Sequence, residues 1–133
     1  MSKSAIYTAN TIASAVAVDG LVPIGTTNRR FGCNVMQDGN TITINGRGYF
    51  AVTASVTVEP TAAGAVGVAL NKDGVAVSGA AASATVAAAG DTVTLPVTAI
   101  VRNVGDCDSS ILSLVLNGTA SNVTNVAVVV EKL

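Results

Sequence analysis

Apolar and polar positions alternate with a period of two along most of the chain. In Thr41-Ile42-Thr43-Ile44 the isoleucines share one face and the threonines the other. Between Tyr49 and Val58, the residues Phe50, Val52, Ala54, Val56 and Val58 point one way, while Thr53, Ser55 and Thr57 point the other. Val66, Val68 and Leu70 form a third set, the odd positions from Val93 to Val101 a fourth, and Leu112, Leu114 and Leu116 a fifth. Alternation carried by β-branched residues predicts strands with one buried face, because side chains on a pleated strand point to alternate sides.

Turn signals punctuate these runs. Asp19-Gly20, Asp38-Gly39-Asn40, Asn45-Gly46, Asp73-Gly74 and Asn117-Gly118 fall between apolar segments. Asn-Gly and Asp-Gly accept the positive φ angles of tight turns, so the pattern predicts an antiparallel sandwich or barrel. Two places depart from simple alternation. From Val123 to Val130, Val126, Val128 and Val130 lie on one face and Ala127 and Val129 on the other. Such a strand is either central and covered by a loop, or has one face on the core and the other on a neighbouring subunit. The stretch Gly79–Gly90 is rich in alanine but holds no charge for a solvent-facing helix side, and reads as a strand followed by a loop.

Composition sharpens this. Of 133 residues, 50% are apolar, 11% charged and 3% aromatic, without Trp. The core must rest on Val, Ile, Leu and Ala, which each bury less area than an aromatic ring. A small-residue core leaves a marginal monomer and favours added burial between copies. The chain is expected to form one domain over 1–133. Net charge is −1, with Arg29-Arg30 as the only adjacent basic pair, so nucleic acid is not an expected partner. The N-terminus shows no apolar leader and no run is long enough to span a bilayer, so no membrane association is expected.

No catalytic constellation is visible. The chain has no His, so a Ser or Cys nucleophile lacks its usual base, and no G-x-S-x-G elbow occurs. Gly46-Arg47-Gly48 starts like a phosphate loop, but Tyr49 and Phe50 open a strand where that motif needs a helix. Asp106 and Asp108 flank Cys107 and read as a polar turn; the alternative, an oxygen-ligand cation site, would need several copies on a symmetry axis. Cys33 and Cys107 read as unpaired thiols, with a single disulfide as the alternative. No catalytic residue, cofactor or metal site is assigned, and the chain is expected not to be an enzyme.

The order of segments resembles a C1q/TNF-like jelly roll. The residues carrying the resemblance are Val22-Pro23-Ile24-Gly25-Thr26, Arg30-Phe31-Gly32, Thr41-Ile42-Thr43-Ile44, Gly48-Tyr49-Phe50, Leu70-Asn71-Lys72-Asp73-Gly74 and the terminal Val126 to Glu131. The short bacterial and phage-borne type is the most similar, including the C-terminal domain of exosporium collagen-like glycoproteins. The resemblance implies an all-β, two-sheet antiparallel jelly-roll sandwich that assembles as a homotrimer. It also implies that the sheet with the first strand, the last strand and the Gly-Tyr-Phe strand faces the threefold axis. Tyr49, Ala127 and Val129 are then expected at the trimer interface.

Unlike the stalked members, this chain shows no collagen tract and no export signal. The expected function is therefore a structural protein of a phage virion, decorating the capsid exterior and bound to the major capsid protein or another virion component. The alternatives are a fibre-tip module that binds a host receptor or glycan through loops such as Asp106–Ser110 and the region around Asp38, and a bacterial spore or cell-surface protein.

Overall fold

The computed structural model describes residues 3–133; Met1 and Ser2, the first positions of the expected domain over 1–133, lie outside the described residues. The strands are β1 (Ala5–Asn10), β2 (Ser14–Val16), β3 (Thr26–Phe31), β4 (Val35–Asp38), β5 (Thr41–Asn45) and β6 (Gly48–Pro60). They continue as β7 (Gly64–Lys72), β8 (Val75–Val86), β9 (Val93–Asn103), β10 (Ser109–Asn117) and β11 (Ser121–Lys132). Among the described residues no helix is long and apolar enough to cross a membrane.

The strands form two antiparallel sheets. One runs in the order β3-β1-β11-β6-β9, with β2 extending the β1 side of β11. The other runs β4-β5-β10-β7-β8. The chain crosses between the sheets repeatedly, which is the jelly-roll connectivity. Beyond β5, the segment Asp19–Val22 lies along β10: the Asp19 amide donates to Leu116 O at 2.7 Å and the Val22 amide to Leu114 O at 2.8 Å.

The alternating sets meet between the sheets. Phe50, Val52, Val56 and Val58 of β6 face Val66, Val68 and Leu70 of β7 and Leu112, Leu114 and Leu116 of β10, all buried. The turns follow their sequence signals. Asp73 and Gly74 take φ of 54° and 83°, the mirror-image two-residue hairpin between β7 and β8. Gly118 closes the turn into β11 at φ 84°, where an added Cβ would stand 2.5 Å from Ala65 O. The Gly79–Gly90 stretch is strand as far as Val86 and then a turn, as its lack of charge predicts.

Two buried polar groups show how the core treats hydrogen bonding. Asn103 at the end of β9 reaches across to the other sheet: its Nδ2 donates to Ile44 O at 3.2 Å, and its Oδ1 accepts from Ser110 Oγ at 2.9 Å. Thr8 is different. It points inward from β1 opposite Val128, and its buried hydroxyl has no partner. A buried hydroxyl without a bond is unfavourable by about 1–3 kcal/mol. Thr8→Val is therefore expected to raise stability by about 1 kcal/mol, read as a higher urea midpoint at unchanged slope; a fall would contradict this account.

Candidate assembly face

The chain contains two Tyr and two Phe. Phe50 alone among them is in the core; Tyr7, Phe31 and Tyr49 are 37%, 60% and 49% exposed. All three lie on the outer face of the β3-β1-β11-β6-β9 sheet, and strand register explains why. Ile6 and Thr8 are buried, so Tyr7 between them must face outward. Phe50 is buried, so Tyr49 faces outward; Ala127 and Val129 alternate with the buried Val126, Val128 and Val130.

Cross-strand pairing arranges these side chains in rows. One row runs Phe31, Ala5, Glu131, Ala51, Ile100, with Ile100 62% exposed. The next runs Arg29, Tyr7, Val129, Thr53, Thr98, with Val129 36% exposed. Further along lie Ala9, Ala127, Ser55 and Pro96. Beyond Glu131, Leu133 donates its amide to Tyr49 O at 2.9 Å, and the Arg102 guanidinium lies 5.3 Å from the centre of the Tyr49 ring. The face thus has an apolar, partly aromatic end and a hydroxyl-bearing end, where Thr57 and Thr94 hydroxyls are 3.0 Å apart. At the β3 side, Ala5, Ile6, Tyr7, Arg29, Phe31 and Val129 line a groove of about 180 Å³. Exposed apolar and aromatic side chains gathered on one sheet face make it the candidate surface for contact with another molecule.

The sequence-predicted residues Tyr49, Ala127 and Val129 share this face. Sequence reasoning missed Tyr7, Phe31 and Ile100. The signal for Tyr7 was present, as an aromatic in an alternating Ala5–Asn10 run. For Ile100 the signal was an apolar residue at an even position of β9, whose buried set is odd; Phe31 gave no comparable signal, since β3 is exposed throughout and lacks alternation.

The loops proposed for receptor contact are not brought together. Asp38 lies at the β4–β5 hairpin, whereas Asp108 O accepts the Gly46 amide at 2.9 Å, at the other end of β5. The β5–β10 register, with Asn45 opposite Ser109, forces that separation. Asp108 is engaged locally, its Oδ2 accepting the Gly105 amide at 2.8 Å. Among the described residues no cluster of three or more His, Cys, Asp or Glu could hold a metal ion. Cys33 and Cys107 are free, exposed thiols.

No protein-family model matches the chain, and no curated protein is significantly similar in sequence. Solved structures do match. Murine APRIL superposes with a TM-score of 0.74 at 8% identity, covering 99% of this chain and 100% of that one. The globular domain of zebrafish complement 1qA superposes with a TM-score of 0.71 at 10% identity, covering 97% and 95%. The PRD1 vertex protein P5 matches with a TM-score of 0.59 at 14% identity, covering 98% and 96%. The fold is therefore the C1q/TNF-like jelly roll, in agreement with the resemblance read from the sequence.

Proposed function

We propose that this jelly roll is a non-enzymatic structural protein that works as a homotrimer on the exterior of a virion, seated on the major capsid protein or another virion component. The observation that carries this reading is the assembly face. Three of the chain's four aromatic residues stand in water on one sheet, and Phe50 is the one aromatic in the core. A sequence so short of large side chains gains most from them where they are buried, and a second copy would bury them. Tyr49, Ala127 and Val129 would lie within the contact.

The virion assignment draws support from the likeness in fold to the PRD1 vertex protein P5. Trimers suit such positions because their symmetry can match a threefold point of a capsid lattice.

Two measurements test the reading. Native mass spectrometry of the purified protein is expected to give three chains, and a stable single chain would sink the assembly claim. Purified particles from the source are expected to carry the chain in multiples of three on their outer surface. Particles without it would overturn the virion assignment.

A further inference from the structure

We infer that the protein seats on its partner through one end of the sandwich, the end that gathers every basic side chain, and that the partner meets it with an acidic protein surface. This rests on the virion attachment proposed above and adds which surface attaches and what chemistry receives it.

Antiparallel pairing defines the two ends. Strands β3, β5, β7, β9 and β11 finish at the end where β1, β4, β6, β8 and β10 begin. Sequence position then places each charge. Arg29 and Arg30 lie near the end of β3, Lys72 closes β7, and Lys132 closes β11. Arg102 lies at the end of β9, and Arg47 in the β5–β6 turn. Lys3 precedes Ser4, whose carbonyl accepts the Lys132 amide at 2.8 Å. These are all seven Lys and Arg of the chain.

Four carboxylates, Asp73, Asp106, Asp108 and Glu131, share that end, which leaves it three charges positive. The other end holds Asp19, Asp38, Glu59 and Asp91, with no basic side chain among the described residues, and is four charges negative. The two balances agree with the formal net charge of −1. Along the 12 residues of β11 the ends stand roughly 40 Å apart. Salt at physiological strength screens charges beyond about 8 Å. A surface that approaches one end therefore meets the charge of that end alone.

Composition also favours the basic end as the contact. Protein interfaces are rich in Arg and poor in Asp and Glu. All four Arg lie at this end, and Val75, Val104 and Leu133 stand there 70%, 63% and 63% exposed. The end of the Lys132 side chain lies over Gly48, next in sequence to Arg47, so two cations share one tip. Asp106, Asp108 and Glu131 interleave with these cations and would repel a phosphate polymer. A protein surface can set carboxylates against the cations and its own donors against the carboxylates.

Binding to immobilised poly-L-glutamate tests the chemistry. The protein is expected to bind at low salt and to be released as salt rises. Arg47→Glu with Lys72→Glu is expected to weaken binding about tenfold or more, and Glu59→Gln with Asp91→Asn to change it by less than about twofold. No binding, equal losses from the two pairs, or tighter binding to polyphosphate than to poly-L-glutamate would overturn the acidic protein partner.

Thiol labelling tests the seating. Cys33 and Cys107 are exposed and flank the Asn45-Gly46 turn at the basic end, where Asn34 O accepts the Asn45 amide at 2.8 Å and Asp108 O the Gly46 amide at 2.9 Å. Maleimide-polyethylene glycol is expected to modify both thiols in the purified protein and neither on particles. Ala62→Cys, exposed in the β6–β7 turn at the acidic end and placed in a Cys33→Ser, Cys107→Ser background, is expected to react in both settings. Particles on which Cys33 and Cys107 react as readily as in the free protein would overturn the seating and leave the virion reading intact. Particles without the chain would overturn both.

Discussion

Phe50→Ala is expected to remove about 3–5 kcal/mol of stability, the usual loss when a buried phenylalanine is truncated. Phe50 is fully buried, is the largest side chain in the core, and is the only aromatic there. Valine is the most frequent residue in that core. β-branched side chains hold one preferred rotamer and cannot swing into the space left behind. The cavity therefore stays open, which puts the loss at the upper end of the range. Folded domains are stable by only about 5–15 kcal/mol, so the variant is expected to be partly unfolded at 37 °C. Urea titration followed by circular dichroism, at one fixed protomer concentration because assembly adds stability by mass action, measures the effect. A loss below about 1 kcal/mol would show that the core does not depend on this ring. Val52→Ala in the same strand is a useful contrast, since a smaller side chain leaves a smaller cavity.

Val129→Asp is expected to act on assembly and leave the fold alone. Val129 sits in the middle of the outer face, between Tyr7 on β1 and Thr53 on β6. In a single copy the new carboxylate would be hydrated, and a surface change of this kind alters folding stability by about 0.5 kcal/mol or less. In the proposed trimer each new carboxylate would lose water at a subunit contact. Each desolvation is unfavourable by several kcal/mol, and every 1.4 kcal/mol is a factor of about ten in affinity. Light scattering at micromolar concentration is expected to report one chain in place of three, with an unchanged circular dichroism spectrum. A trimer that survives the substitution would remove Val129 from the interface.

Strand identity was legible wherever one face was wet and the other dry. The runs at Thr41–Ile44, Tyr49–Val58 and Ile111–Leu116 appear as β5, β6 and β10 with the expected residues inside. The doubled pattern at Val123–Val130 fits β11, which is bonded on both sides and is apolar on both faces at its later end. The short or edge elements were not legible. β2 and β4 span three and four residues, too few for a period to show. β3, Thr-Thr-Asn-Arg-Arg-Phe, is exposed at every position, so burial imposes no alternation on it. That is why Phe31 drew attention only through the family pattern, and why the groove it borders could not be anticipated. The pairing that brings Phe31 beside Ala5 joins positions 26 residues apart, and nothing local encodes it.

The position of β11 also constrains when the fold can form. The last strand of the chain lies between β1, the first, and β6, and bonds to both. During synthesis the sheet cannot close between β1 and β6 until Ser121–Lys132 has left the ribosome. Such long-range closure is slow, on the order of milliseconds to seconds for β-rich folds. Until then the edges of β1 and β6 that β11 covers lack their partner, and unpaired strand edges in an incompletely folded chain favour aggregation.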